Sequence, residues 1–467
     1  MKKTLISLAT ASLIASSAMA ADKGIDIVVS GQATVYYETH SENGNSDDQT
    51  MFDQDNSAAN VGIQLNLGAD LGNNFTFGSQ LTYLGTAGLE KNLVAGVKQH
   101  ADDAIVQEGD TTSEIALTKI FIAKKIGNTT VKIGRQELPK SLSPLAFSEG
   151  WNVYKNTFDA ILVVNSDIPD TTVVAAYVSG GTGISGLEST NDLGASVNGK
   201  YKDSNGDVNS LNAPLEVNGE AYMLTIQNKS IPMTTVTASY YTLDNVNGDD
   251  NFVNDELVRV ISNGGSDTDA YWLDIAVADK SLPMGLKVGA QVGHMSTDDM
   301  TGNNGENFKF SDTTVWGLRA SFVPMSNLTL STAYTTVNAE TDKLNVAFKN
   351  TGTGVKTPLF TQMIYNQDAI ALDATTLMVK GSYNAGTYGV ITAAYGNTDA
   401  GAANLMGANE DYQEFDLTYK VNYANVQYFA AYVYRQIDNG GNMNATSGSA
   451  QDVTEDNRFR VWARYNF

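Results

Sequence analysis

The chain has 467 residues, 42% hydrophobic and 17% charged, with 29 Lys and Arg against 52 Asp and Glu and no cysteine. A formal charge of -23 argues against nucleic-acid binding, which depends on Lys and Arg neutralising phosphates, and the absence of Cys excludes disulfide scaffolds, thiolate metal sites and cysteine nucleophiles. Tyr, Phe, Val and Ile are spread along the whole length, so the acidity sits beside a large apolar surface and the chain is not expected to be disordered.

Residues 1–20 read as a signal peptide. Lys2 and Lys3 form the charged start, Leu5 to Ile14 a short apolar stretch, and Ala18-Met19-Ala20 a cleavage site. The stretch is too short and too rich in Ser and Thr for a helical span, which needs about 20 apolar residues. Residues 21–467 read as one domain.

Period-two alternation dominates that domain. Ile25, Ile27, Val29, Ala33, Val35 and Tyr37 alternate with Asp26, Ser30, Gln32, Thr34 and Glu38. Val61, Ile63, Leu65, Leu67 and Ala69 alternate with Asn60, Gly62, Gln64, Asn66 and Asp70, and Phe75, Phe77, Leu81 and Tyr83 with Thr76, Gly78, Gln80 and Thr82. Each is a strand with one apolar and one polar face, unlike the doubly buried strands of a parallel sheet.

Connections alternate in length. Short turns fall at 72–74, 127–129, 166–170, 229–233, 279–285, 323–327, 384–387 and 422–425, and three share one construction, Ile231-Pro232-Met233, Leu282-Pro283-Met284 and Val323-Pro324-Met325. Proline cannot donate to a ladder, so these mark strand ends. Long polar stretches lie at 39–57, 85–112, 138–157, 181–218, 244–267, 297–311, 339–371, 397–411 and 438–455. Eight turns and nine loops imply 18 strands, at about 25 residues each, enough for roughly 10 in a bilayer plus half a turn and half a loop. The fold class is therefore all-β, a transmembrane antiparallel β-barrel of the bacterial outer membrane with long extracellular loops and short periplasmic turns. The acidic residues follow this division: Asp47, Asp48, Asp53 and Asp55 fall in the first loop, Asp249, Asp250, Asp255 and Glu256 in the fifth, and Asp298, Asp299 and Glu306 in the sixth.

The last strand sets Phe459, Val461, Ala463, Tyr465 and Phe467 on one face and Arg458, Arg460, Trp462, Arg464 and Asn466 on the other. This ending resembles the assembly signal of outer-membrane proteins, an amphipathic final strand closing on an aromatic carboxyl terminus, which Tyr465 and Phe467 would supply. The whole chain resembles the Gram-negative porins, and its strand count is more similar to the 18-stranded major outer-membrane porins than to the 16-stranded general ones. The motifs that carry the resemblance are Phe467, Lys132-Ile133-Gly134-Arg135-Gln136 and the loop that follows. The resemblance implies a water-filled channel for passive diffusion of ions and small hydrophilic solutes and a homotrimer in outer-membrane lipid. It also implies insertion by the barrel assembly machinery, no cofactor, and a third loop folded inward to narrow the pore. That loop, 138–157, is unusually apolar for a surface loop, with Pro139, Pro144, Leu145, Phe147 and Trp151. The family's PEFGG-like tip is absent, so its eyelet residues do not carry over.

Alternation nominates the charges that face the lumen, where low-dielectric walls focus the field. Lys132, Arg319, Arg458, Arg460 and Arg464 face inward, and Glu137 and Glu149, at the two ends of the third loop, are the acidic candidates for the opposite wall. The acidic loops outweigh these arginines, which predicts a weak cation preference. Arg135 shares parity with Val131 and Ile133 and so points outward, where a carboxylate partner at a subunit interface would remove its cost against lipid. A substrate-selective channel of the same fold, and a surface adhesin or structural barrel, are the alternatives. No enzyme is expected, because His40, His100 and His294 lack any catalytic motif context. The acidic segment Asp244 to Asp250 lacks the EF-hand register, so a solvated loop is preferred there to a bound calcium ion.

Overall fold

The computed structural model describes residues 26–43, 50–95, 113–182, 187, 189–190, 193–202, 208–217, 220–248, 266–301, 307–340, 342–401, 411–438 and 453–467. The signal peptide, His100, Asp47, Asp48, Asp249, Asp250, Asp255, Glu256 and Glu306 lie outside them.

Eighteen strands form one closed antiparallel wall. They are β1 Ile27–Asn43, β2 Ser57–Gly72, β3 Phe75–Gly85, β4 Ser113–Ile126, β5 Thr129–Gln136 and β6 Phe158–Asn165. Next come β7 Thr171–Thr182, β8 Ala221–Asn228, β9 Thr234–Gly248, β10 Ser266–Ala278, β11 Lys287–Thr297 and β12 Thr313–Met325. The wall ends with β13 Leu328–Asn338, β14 Ala374–Asn384, β15 Val390–Ala400, β16 Asp411–Tyr423, β17 Val426–Asp438 and β18 Val453–Asn466. Each pairs with its neighbour in sequence, and β18 returns to β1 with Tyr36 opposite Trp462 and Glu38 opposite Arg460. Closure leaves no edge with unpaired backbone groups.

The wall sorts its side chains by parity. Leu67, Ile122, Leu224, Val292, Leu318 and Leu377 are exposed on the outer face, part of an apolar belt far larger than water tolerates on a soluble protein. No helix among the described residues is long and apolar enough to cross a membrane; the strands make the crossing. The inner face is polar. Hydroxyl pairs bridge neighbouring strands there, Thr82 with Thr118 at 2.7 Å, Thr225 with Ser239 at 2.7 Å and Thr376 with Thr398 at 3.0 Å, satisfying groups that would be costly against lipid.

The β3–β4 register slips between Gln80 and Leu81, so Thr118 and Lys119 are consecutive residues of a bulge, and Lys119 reaches the carboxylate of Glu137. The Pro-Met turns at 231–234 and 282–285 each close with an i to i+3 bond, Thr234 N–H to Ile231 O at 3.1 Å and Gly285 N–H to Leu282 O at 3.0 Å. The methionines sit at φ 62° and 51°, the turn position that ordinarily takes Gly or Asn.

Candidate functional site

Loop three, 137–157, lies against inward-facing residues from opposite parts of the wall. The Tyr241 hydroxyl of β9 accepts from Leu145 N–H at 3.2 Å. From β18, Arg460 donates to Trp151 O at 2.8 Å, and Arg464 donates to Asn152 O and Val153 O at 3.1 and 2.9 Å. A loop that touches both sides of the lumen obstructs it. Its apolar residues explain the position, since Leu138, Leu145, Phe147 and Val153 are buried.

A second inserted loop was not foreseen from the sequence. Loop seven, 339–373, interlocks with loop three: Asn350 accepts from Phe147 N–H at 2.9 Å and donates to Phe147 O at 2.8 Å, and Thr351 N–H donates to Leu145 O at 2.7 Å. Glu414 and Asp416 of β16 accept from the backbone N–H groups of Tyr365 and Ile364 at 2.9 and 3.2 Å. The signal was available, because Leu344, Val346, Phe348, Leu359 and Ile364 make this loop as apolar as loop three.

The candidate residues have different surroundings. Arg460 is the strut of the assembly: it pairs with Glu38 at 2.6 and 2.9 Å, donates to the Tyr365 hydroxyl at 2.8 Å and lies 4.3 Å from the Trp151 ring centroid. Arg458 pairs with Asp456 at 2.7 Å and Arg435 pairs with the same carboxylate, so these arginines are tied to the wall. Lys132 stands 3.7 Å over the Phe121 ring. Glu137 pairs with Lys119 and, at 2.8 Å, with Lys155. Burial pushes its pKa up, but the two lysines override that and hold it at about 2. Arg135 pairs through two bonds, at 2.8 and 2.6 Å, with Asp159 on the adjacent strand, so its carboxylate partner comes from the same chain.

Glu149 does not line an open passage. It is 5% exposed, and both carboxylate oxygens are buried without a hydrogen-bond partner. Burial raises its pKa to about 7, with Lys356, Arg460 and Lys140 pulling the other way. Burial lowers Lys356, across the seam in loop seven, to about 8. Because the folded chain raises the Glu149 pKa above the usual carboxylic value, its favourable contribution is present while the group is protonated and is lost as pH rises through about 7. Loop three is therefore expected to be held less firmly above pH 7, seen as rising open-channel current noise, and Glu149→Gln should abolish that rise. A variant with the same pH response as wild type would exclude Glu149 as its source.

Between the loops and strands β8 to β12 lies a cavity of ≈490 Å³. Arg319 lines it, exposed to solvent, with its guanidinium 4.0 Å from the Phe360 ring centroid. Its polar lining also includes Lys140 of loop three, Asp274 of β10, Gln227, Thr237 and Gln362. The site thus offers cations, one carboxylate, neutral hydrogen-bonding groups and an aromatic face.

No protein-family model and no curated protein matches the sequence. Solved structures do match the fold. OccK8 (OprE) of Pseudomonas aeruginosa superposes with a TM-score of 0.63 at 12% identity, covering 94% of this chain and 98% of that one. OpdK of the same organism, in a structure with vanillate, gives 0.62 at 9% identity over 94% and 98%. OccAB2 of Acinetobacter baumannii gives 0.61 at 15% identity over 94% and 98%. At these identities the likeness is one of fold.

Proposed function

We infer that the chain is a substrate-selective outer-membrane channel for small hydrophilic solutes bearing a carboxylate or other anionic group, with Arg319 as the cation they meet in the narrow section. The observation that carries this reading is the imbalance of available charge. Glu137 is neutralised by two lysines and Glu149 is buried, whereas Arg319 and Lys140 together face the cavity with Asp274 as its one lining carboxylate, close enough to feel both cations. OpdK, which shares the fold, was solved with vanillate, an aromatic carboxylate, and Phe360 beside Arg319 offers a flat face for such a ring.

The weak cation preference expected from net charge acts at the mouth. Acidic loops enrich cations there over a Debye length of about 8 Å, but the narrow section discriminates, because the low-dielectric walls and loops around Arg319 focus its field across the passage. The homotrimer remains the assembly we favour, since a second copy docked over Arg135 and Asp159 would cover an ion pair that otherwise faces lipid.

Planar-bilayer recording tests all of this at once. Wild type should conduct, close in three equal steps, show an anion-directed reversal potential in the narrow section's salt range, and be blocked by vanillate or benzoate. Arg319→Gln should weaken the block severalfold. Cation selectivity together with indifference to carboxylates would restore unselective diffusion, and a silent bilayer would favour an adhesin or structural barrel.

A further inference from the structure

The inner face of β11 and β12 is laid out as a checkerboard. Gly289, Gln291 and Gly293 alternate along β11 opposite Arg319, Gly317 and Val315 of β12, so each glycine faces a larger residue on the adjacent strand. Each large side chain leans over the bare position beside it. A Cβ at Gly317 would stand 3.0 Å from Gln291, and one at Gly293 would stand 2.7 Å from Val315 and 2.8 Å from Phe348 of loop seven. Glycine inside a strand weakens it and marks a place where another group comes close to the backbone. At 289 and 293 that group includes a phenylalanine of the inserted loop.

Gly289 is the position that seats the cavity's arginine. Arg319 lies across it, with Nε 2.7 Å and Cγ 3.1 Å from where a Cβ would be. Phe360 bounds the same space, its Cζ 3.3 Å from that Cβ position and its ring centroid 4.0 Å from the guanidinium carbon. The ring is itself fixed, because it packs against Ala333, Met363 and Met378 and the adjoining Thr361 is bonded to Thr335 at 2.6 Å. The guanidinium thus sits in a notch between bare backbone on one strand and an aromatic face from loop seven.

We propose that Gly289 is a positioning residue for solute recognition, holding the Arg319 guanidinium against Phe360 in one orientation so that it takes a planar carboxylate through two parallel bonds. The inference rests on Arg319 being the cation that solutes meet. A positive charge favours anion entry wherever it moves in the lumen, but a two-bond grip needs the planar fork held still. Alanine at 289 would put a methyl group in the notch. Every atom it would meet belongs to a side chain, so the wall can keep its ladder while the arginine swings out.

Gly289→Ala and Arg319→Lys separate charge from orientation in planar-bilayer recordings with benzoate. Both variants keep a cation at the site; the alanine fills the notch and the lysine removes the fork. Each should keep the wild-type conductance and reversal potential while the benzoate block weakens severalfold, whereas Arg319→Gln should change the reversal potential as well. Block as tight as wild type in either Gly289→Ala or Arg319→Lys would overturn the proposal, and the lysine variant decides the matter even where the alanine variant does not assemble. A changed conductance or reversal potential in Gly289→Ala would also overturn it, by making the glycine a seat for loop seven as a whole. Wild type that benzoate does not block would overturn the reading of Arg319 itself and this proposal with it.

Discussion

Replacing Arg460 by Met is expected to raise single-channel conductance severalfold while leaving the barrel folded. The guanidinium joins three bodies at once, the wall through Glu38, loop three through Trp151 O and loop seven through Tyr365. Its side chain is 3% exposed, so its bonds work in a medium that screens them little. Removing one member of such a buried pair costs about 3–5 kcal/mol, mostly because the remaining charge is stranded. The wall keeps its backbone ladder between β1 and β18, whereas loop three keeps at this end the Arg464 hydrogen bonds and the packing of Trp151 on Phe429 and of Val153 and Tyr154 on Tyr36 and Leu84, with no ion pair to the wall among the described residues. The loss therefore falls on the loop. Glu38→Gln combined with Arg460→Met separates the two effects: it should restore thermal stability, since no charge is stranded, but not the low conductance. Unchanged conductance in both variants would show that Arg460 does not hold the constriction.

The strand plan was legible in the sequence because a barrel wall obeys a period of two without interruption, and Val61 to Ala69 or Phe459 to Phe467 can be assigned to faces by counting. The connections were equally readable, since the Pro-Met turns and the long polar loops differ in composition as well as length. Pairing between neighbouring strands was not. Glu38 lies on the polar face of β1 in the sequence, but its role depends on standing opposite Arg460, a partner 422 residues away, through a register that only closure determines. Arg435 and Asp456 were missed because the register of β17 against β18, across a long loop, is not written in the alternation of either strand. Loop residues have no period to count. Glu149 reads as a solvated acid, and only the packing of loop seven over loop three makes it a buried one with a pKa near neutrality. Loop seven itself was passed over because its apolar residues, though as many as in loop three, are dispersed among Asn, Thr and Gly, the residues that ordinarily mark a surface segment.

Deleting Phe467 is expected to lower the yield of folded protein in the outer membrane severalfold. The terminal residue completes the closing seam. Gly31 N–H donates to Phe467 O at 2.7 Å and Phe467 N–H donates to Gly31 O at 3.0 Å, the last pair of bonds between the final strand and the first. Its ring lies over Gly31, where a Cβ would come within 2.4 Å of it, and stacks on Tyr465 with centroids 6.1 Å apart. Glycine at 31 thus makes room for the aromatic end, and the ring shields from lipid a stretch of backbone that has no side chain of its own. An unshielded polar backbone is expensive in the bilayer, so both the bonds and the ring contribute to closing the wall. Phe467→Ala keeps the bonds and loses the ring, and is expected to fall between wild type and the deletion. Gly31→Val keeps Phe467 but forces its ring away, and should behave like Phe467→Ala. Yield can be read from heat-modifiable mobility on gels, with total synthesis as the control for expression. Normal yield in the deletion would make the terminal aromatic incidental, and a defect in the deletion with none in Phe467→Ala or Gly31→Val would assign the whole effect to the backbone pair.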